Sequence, residues 1–558
     1  MSAAPHTEVG EHASPETSRR PATDPIVFGT AFGLVLAFVL WGMLGTESLA
    51  SGVDTAFSSI IDNTGWMFVL TSTGFVALAA VLAVSRYGRI RLGKDDDRPE
   101  FSTGSWVAML FAAGMGIGLV FWGVAEPLYH LSGPPLDLVE PDTTEAARLG
   151  LQFTVFHWGL HPWAMYAVMG MALAYSVFRK GRPSLVSSAV VPLVGEHRTG
   201  VRRVVDVLAI FTTVFGAATS LGLGALQVNS GLALNYGTPK NNGVVLAIIA
   251  GLAVLFVLSA VSGVHKGIKI VSNINVILAG LLAAFVFVLG PTTHIFNTIT
   301  ETAGDYLAGL PAMSFASGAS GGGEWLASWT LFYWAWWISW TPFVGAFIAR
   351  ISRGRTIRQF VTFVMIVPTL VSLVWFSVLG GAATRLQLTG QADLTQALTD
   401  TGTEGALFSL LGEFPFATLT SSLVMLLIAL FFISSADSAS VVLGMLSQRG
   451  SISPSKWMVA LWGISIAGVA AALTVAGGLQ VMQSATILVA TPYLLVLVAI
   501  GVNLVRELRK EPYTSTLDPQ VRRAVLAHSH SSALANGLAS DHAPLDDAPR
   551  RAPVAQHQ

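Results

Sequence analysis

Residues 325–347 read WLASWTLFYWAWWISWTPFVGAF, an uncharged apolar run of the length that crosses a bilayer as one helix. Six of the chain's fifteen tryptophans fall between Trp325 and Trp340. An interfacial belt uses a ring or two at each end of a span, apolar body in lipid and N–H in water. Trp334, Trp336, Trp337 and Trp340 lie within two helical turns and well inside the run, too deep for a belt. At about 100° per residue, Trp336, Trp337 and Trp340 share an arc of about 100° with Tyr333 between them, so one helix face carries an aromatic wall. Such rings pack helices together, but their negative π faces also hold a quaternary ammonium group, which has no N–H to donate and escapes recognition by hydrogen bonds. A second aromatic helix decides between the two uses.

Composition sets the class. Of 558 residues, 53% are hydrophobic and 11% charged, with a mean hydropathy of +0.63. A soluble domain carries about 25% charged residues, so this is an all-α polytopic membrane protein. A net charge of −1 excludes a basic nucleic-acid binder. The absence of cysteine removes disulfides, thiolate metal sites and cysteine nucleophiles. No nucleotide-binding loop or nucleophile–base motif is present, so no enzyme and no cofactor are expected. Residues 1–24 are polar without an apolar core and read as a disordered tail rather than a signal peptide.

At about 20 apolar residues per span, twelve transmembrane helices fit: 26–46, 65–85, 104–127, 149–178, 205–232, 243–263, 270–291, 325–350, 359–383, 416–445, 457–477 and 480–505. Arginines and lysines gather after every second span, as in Arg86–Arg98, Arg179–Arg203, Lys266–Lys269, Arg350–Arg358 and Arg449–Lys456, while 47–64 and 292–324 hold none. The positive-inside rule then puts both termini in the cytoplasm, in the inner (plasma) membrane of the cell. Residues 292–324 are too polar to span and read as an extracytoplasmic amphipathic segment. The expected organisation is a tail over 1–25, two peripheral helices and a loop over 26–103, a five-helix unit over 104–291, the amphipathic segment 292–324, a second five-helix unit over 325–505, and a cytoplasmic tail over 506–558. Two units of five spans have opposite orientations, as inverted transporter repeats do.

The first helix of the first unit contains Ala113-Gly114-Met115-Gly116-Ile117-Gly118. Each glycine costs up to about 1 kcal/mol of helix propensity, so this segment is poised to unwind. Unwound backbone in a membrane must line a cavity or meet protein, and its carbonyls would meet a cation or a substrate. The same glycines form a GxxxG packing pair, Gly114 with Gly118; their place at the start of the unit favours a site, with Gly114, Met115, Gly116 and Gly118 lining it. The span 149–178 supplies the second aromatic helix. Trp158, Trp163 and Tyr166 fall within an arc of about 140°, with Pro162 as a possible kink. Opposite Trp337 they would form a box for a trimethylammonium group. His157 and His161, with no third ligand apparent, read as hydrogen-bonded helix residues. Span ten carries Phe431, Ser434, Ser435 and Asp437; Ser434 and Ser435 offer the oxygens a small hard cation needs, or bond back to their own helix. Asp437 reads as a structural partner or gate residue. Thr219 and Ser220 are a weaker candidate pair for a second cation.

These stretches, YWAWWISWTPFVGAFIARISRGRTIRQF, AGMGIG and the W-x4-W-x2-Y spacing of span four, resemble the betaine/choline/carnitine transporter family over most of the membrane part. The resemblance implies a leucine-transporter-like 5+5 inverted repeat preceded by two extra helices, often as a homotrimer. It implies a central aromatic box of Trp158, Trp163, Tyr166 and Trp337, with Trp340 on the inward path. It implies one sodium site at Ala113, Met115, Phe431, Ser434 and Ser435, and a second involving Thr219 or Ser220 with Phe343. Choline-selective, proton-coupled relatives carry an acid where this chain has Gly118, and carnitine exchangers carry a fixed cation that is absent between Thr212 and Asn229. The function expected is therefore sodium-coupled symport of glycine betaine or a similar compatible solute for osmotic protection. Proton-coupled or exchange transport of choline, carnitine, proline or ectoine is the alternative, and a membrane osmosensor the reading from another class. The tail beyond Arg506 is regulatory in some osmosensing relatives.

Overall fold

The computed structural model describes residues 22–114, 116–262, 265–517, 521–522, 524–525 and 527–528. The tails expected at the two ends lie outside the described residues up to residue 21 and from residue 529. Among the described residues the single β pairing is an antiparallel bridge between Arg91 and Thr356; the rest is helix and loop.

Fifteen principal helices follow in order: α1 (Pro25–Leu44), α2 (Thr46–Val84), α3 (Thr103–Gly114), α4 (Ile117–Ser132), α5 (Thr144–Trp158), α6 (Leu160–Ala174), α7 (Thr199–Tyr236), α8 (Asn242–Ser262), α9 (His265–Leu289), α10 (Thr292–Ser314), α11 (Phe332–Ile351), α12 (Ile357–Leu388), α13 (Ala417–Ser447), α14 (Lys456–Gly477) and α15 (Leu479–Arg509). Their ends follow local chemistry. Asp24 caps α1 by accepting from the Ile26 and Val27 N–H groups at 3.0 and 3.1 Å, and Pro25 stands where a missing N–H costs nothing. Thr356 and Gln359 close a reciprocal capping box on α12. The segment 47–64, expected as a loop, is helical and continuous with the span that follows it. The polar segment after residue 291 forms α10, which buries Ile295, Thr298, Thr302 and Tyr306 along one face.

Among the described residues nine helices are long and apolar enough to cross a membrane. Burial sorts them: 78% of the apolar window of α7 is buried but only 22% of those of α1, α8 and α9, so α7 is central and the others face outward. Val254, Leu255 and Leu258 on α8, and Ile277 and Leu281 on α9, are exposed apolar side chains suited to lipid. Since lipid tails are as apolar as leucine, helices associate in a membrane through close packing. The crossing of α6 with α11 shows this. A Cβ on Gly345 would come within 2.5 Å of Met169 Cγ, and one on Gly170 within 2.7 Å of Ile348.

The other three expected spans are not plain helices. Span 104–127 is α3 and α4, parted between Gly114 and Ile117, with Gly116 extended. Span 325–350 begins with a π-helical turn, Ala327–Leu331, before α11. Span 149–178 is α5 and α6, parted at Gly159 and ending in a π-helical turn, Tyr175–Arg179. Pro162 was the expected irregularity, yet it lies in the first turn of α6, where proline fits without a kink. At Gly159 an added Cβ would meet the Val155 carbonyl oxygen and, at 3.0 Å, the Tyr306 hydroxyl.

A break frees backbone groups that lipid cannot satisfy, and three of those at Gly159 have partners from neighbouring helices. The Leu160 N–H donates to the Tyr306 hydroxyl at 3.1 Å. The His157 carbonyl accepts from Trp337 Nε1 at 2.9 Å, and that of Trp158 from the Ser372 hydroxyl at 3.0 Å. Past the first break, Trp375 Nε1 donates to the Leu119 carbonyl at 2.8 Å and Gln227 Nε2 to that of Val120 at 3.3 Å. Tyr306 is itself held because Arg148 grips Asp305 through two bonds of 2.7 and 2.8 Å and Gln152 donates to the Asp305 carbonyl.

At the end of the bundle that carries the basic loops, Arg179 bridges Asp95 at 2.9 Å and Glu511 at 2.5 Å, and Lys180 and Tyr175 also bond Glu511. Partial burial works against the Glu511 charge, but Arg179, Tyr175 and Lys180 outweigh it and hold the carboxyl down at about 2. This network ties the end of α15 to the loops after α2 and α6.

Tyr306→Phe removes the acceptor of the Leu160 N–H and leaves the ring in place. The expected cost is about 1–3 kcal/mol, read as a lower melting temperature of the detergent-solubilised protein; an unchanged value would mean that Tyr306 does not hold the Gly159 break.

Candidate functional site

A cavity of about 180 Å³ lies where the breaks meet α11 and α13. Drug-sized ligands occupy pockets of about 300–1,000 Å³, so this volume suits a small solute. Trp158, Trp163 and Tyr166 line it from α5 and α6, Trp337 and Trp340 from α11, and Gly116 and Gly118 from the first break. The break at Gly159 separates Trp158 from Trp163 and Tyr166, so these three rings do not share one helix face as expected; they converge because two half-helices present them. Trp158 meets Trp337 edge to face, centroids 4.8 Å apart at 71°, and Trp163 meets Tyr166 likewise at 5.3 Å and 80°.

Trp336, part of the sequence's aromatic wall but not of the expected box, also lines the cavity. It stacks on Trp337 at 5.0 Å and 11°, and its Nε1 is buried without a protein partner. Trp334 turns away and stacks on His161 at 5.1 Å and 13°. Trp325 and Trp329, which lie nearer the start of the run, are half-buried; Trp329 packs on His130 at 4.5 Å and Trp122 at 5.5 Å. The wall is thus divided: Trp336, Trp337 and Trp340 face the cavity, the others pack.

Gly118 is required by close approach. A Cβ there would stand 2.7 Å from Trp158 Cη2 and 2.9 Å from Trp336 Cη2, so the bare backbone lets the two rings close over the break.

Of the residues expected around a first cation, Phe431, Ser434 and Ser435 line the same cavity. Ala113 and Gly114 end α3 beside the break, and Met115 lies outside the described residues. Ser434 donates back to the Phe431 carbonyl at 3.2 Å and accepts from Asn275 Nδ2, also at 3.2 Å. Asn275 sits on α9 and lines the cavity with its Oδ1 buried and without a protein partner, so a further helix, not among those expected here, reaches this position. Of the second set, Ser220 and Phe343 line the cavity, whereas the Thr219 hydroxyl pairs with that of Thr486 at 2.8 Å. Asp437 is buried, with the Ser259 hydroxyl directed at Oδ2 from 3.5 Å.

The histidines are hydrogen-bonded, and one has an acidic partner that sequence reasoning passed over. His157 Nδ1 lies 2.7 Å from Glu126 Oε1 and Nε2 lies 3.0 Å from the Thr330 hydroxyl. His161 Nε2 lies 3.3 Å from the Ser314 hydroxyl. Glu126 is wholly buried on α4. The signal that would have found it is plain: it is the one acid in the apolar run of residues 117–128, and intramembrane ionisable groups pair or function.

The site is therefore an aromatic-walled cavity with serine and amide oxygens at one side and unwound backbone at another. Rings arranged so can hold an organic cation by its face contacts.

Comparison with known proteins agrees in kind. A family model described as betaine/carnitine/choline family transporter matches residues 26–513. The glycine betaine transporter OpuD of Bacillus subtilis is 45% identical over 490 residues, 87% of this chain and 94% of its own. The betaine/ectoine transporter LcoP of Corynebacterium glutamicum is 40% identical over 524 residues, covering 92% and 81%. The ectoine/hydroxyectoine transporter of Virgibacillus pantothenticus is 37% identical over 487 residues, covering 87% and 97%. With its all-helical, multi-pass build and a family match along nearly the whole membrane part, the chain belongs to the betaine/carnitine/choline family of transporters.

Proposed function

We propose that this protein is a secondary transporter that brings glycine betaine, or a similar compatible solute, into the cell together with sodium. The observation that carries the reading is the convergence of Trp158, Trp163, Tyr166, Trp336 and Trp337 on one small cavity, because a trimethylammonium group has only ring faces to bind. A desolvated cation–π contact contributes about 2 kcal/mol or more, so several rings support micromolar binding after association costs. The relatives named for betaine lend independent support.

The sodium sites belong to this reading. The first is assigned to Ala113, Met115, Phe431, Ser434 and Ser435, and Asn275 adds an amide oxygen beside it. The second is assigned to Ser220 and Phe343 with Thr219, whose hydroxyl can donate to Thr486 and keep its lone pairs for a cation. Each elementary charge moved inward across 100 mV yields about 2.3 kcal/mol. Two sodium ions yield about 4.6 kcal/mol, roughly three orders of magnitude of accumulation of a zwitterion that itself costs nothing electrically. The architecture proposed is twelve spans: nine plain helices, plus the two broken spans and the π-turned one that build the site, arranged as a 5+5 inverted repeat behind two peripheral helices. Location in the inner membrane with both termini cytoplasmic, and assembly as a trimer, complete it.

A second reading is ectoine as substrate, which the names of two relatives favour. Its cationic ring and carboxylate also suit an aromatic cavity.

In reconstituted vesicles with labelled betaine, replacing an imposed sodium gradient by potassium is expected to abolish uptake; unchanged uptake would exclude sodium coupling. Competition by unlabelled ectoine against betaine ranks the two substrates. Trp337→Ala is expected to raise KM at least tenfold and Trp329→Ala less than about threefold; equal effects would return both rings to packing. Gly118→Asp must displace Trp158 and Trp336, and is expected to lower betaine uptake at least tenfold while raising the choline-to-betaine preference. Betaine uptake at the original rate would show that Gly118 is not needed for ring closure.

A further inference from the structure

Glu126 is a buried carboxylate whose bonds lead into the cavity wall. Its Oε2 accepts from Trp158 Nε1 at 2.9 Å and from the Tyr333 hydroxyl at 2.6 Å. Its Oε1 faces His157 Nδ1 at 2.7 Å and His130 Nε2 at 3.5 Å. Both donors to Oε2 touch rings of the cavity: Trp158 lines it directly, and Tyr333 stacks on Trp337 at 5.9 Å and 15° and on Trp336 at 6.3 Å and 23°. An indole has one donor, so this bond is the sole polar constraint on the Trp158 side chain. A buried indole or phenol deprived of its acceptor pays a desolvation penalty that moving the ring would relieve.

Glu126, His130 and His157 also place three ligand atoms within 4.8 Å of one another. Two ligands of a tetrahedral zinc at about 2.0–2.1 Å stand about 3.3 Å apart, whereas Oε1 and Nδ1 are 2.7 Å apart. That is a hydrogen bond, and Oε2 is already committed to Trp158 and Tyr333.

We propose that Glu126 is a positioning residue for the aromatic box: it fixes the indole of Trp158 and, through Tyr333, the stacked pair Trp336–Trp337, and so sets affinity for the cationic head of the substrate. This rests on the aromatic-box reading of the cavity. The Glu126 side chain is not among the residues that line the cavity and acts through the rings that do.

The test is betaine uptake by the full chain in vesicles, with KM and maximal rate measured separately and transporter amount quantified. Glu126→Ala is expected to raise KM at least tenfold with a smaller effect on maximal rate. Glu126→Gln, whose amide oxygen still accepts from Trp158 and Tyr333, should stay within threefold of the original KM. Tyr333→Phe should raise KM alone but add nothing in the Glu126→Ala background. An original KM in Glu126→Ala, a Gln variant as impaired as the Ala variant, or additive effects of the Ala and Phe changes would each overturn the proposal. Should Glu126→Ala be missing from the membrane fraction, Tyr333→Phe decides, an unchanged KM overturning it. Trp163→Ala, which has no bond to Glu126, separates the two claims. If its KM is unchanged the aromatic box itself fails; if its KM rises while that of Glu126→Ala does not, only the role of Glu126 fails.

Discussion

A helix that breaks inside a bilayer must have its freed N–H and C=O groups meet protein or line a cavity, since lipid offers no partner. This requirement governs the structure around the cavity. The Gly159 break is tolerable because Tyr306, Trp337 and Ser372 bond the groups it frees, and the break after Gly114 is followed by carbonyls that Trp375 and Gln227 cover. Trp337 in particular serves twice: its N–H secures the break while its ring face walls the cavity. Loss of that ring would open the cavity wall and leave a buried carbonyl unpaired, so cavity shape and local stability are coupled at this residue.

The same economy of donors appears one layer further out. Glu126 takes the Trp158 and Tyr333 donors, His157 links that carboxylate to Thr330, and α10 holds Tyr306 through the Arg148–Asp305 pair. Polar groups inside the bundle thus form short chains that end on cavity rings or on helix breaks.

Much of this was legible in the sequence for reasons that can be named. Hydropathy located the nine helices that are long and apolar enough to span, because lipid imposes it, and glycine density marked the break after Gly114 because propensity there is poor. Trp337, Trp340 and Gly118 could be singled out because helical periodicity and composition act locally. The Gly159 break could not: Pro162 carries the stronger local signal, and the break depends on Tyr306 and Ser372, which are distant in sequence. Trp336 fell within the expected arc, but its place on the cavity depends on which way α11 is rotated against α6, and the tight Gly170–Ile348 and Gly345–Met169 contacts set that rotation. Asn275 was invisible because pairing with Ser434 joins two helices with no shared pattern. Glu126 was overlooked in favour of Asp437, although a lone acid in an apolar run was signal enough.

The central claim is that rings from two half-helices and one intact helix enclose the cation of a small zwitterion. A cryo-EM map of the protein saturated with glycine betaine tests it most directly. The account requires density for the trimethylammonium group between Trp158, Trp163, Tyr166 and the Trp336–Trp337 pair. Well-defined betaine density elsewhere, with that space unchanged, would contradict it.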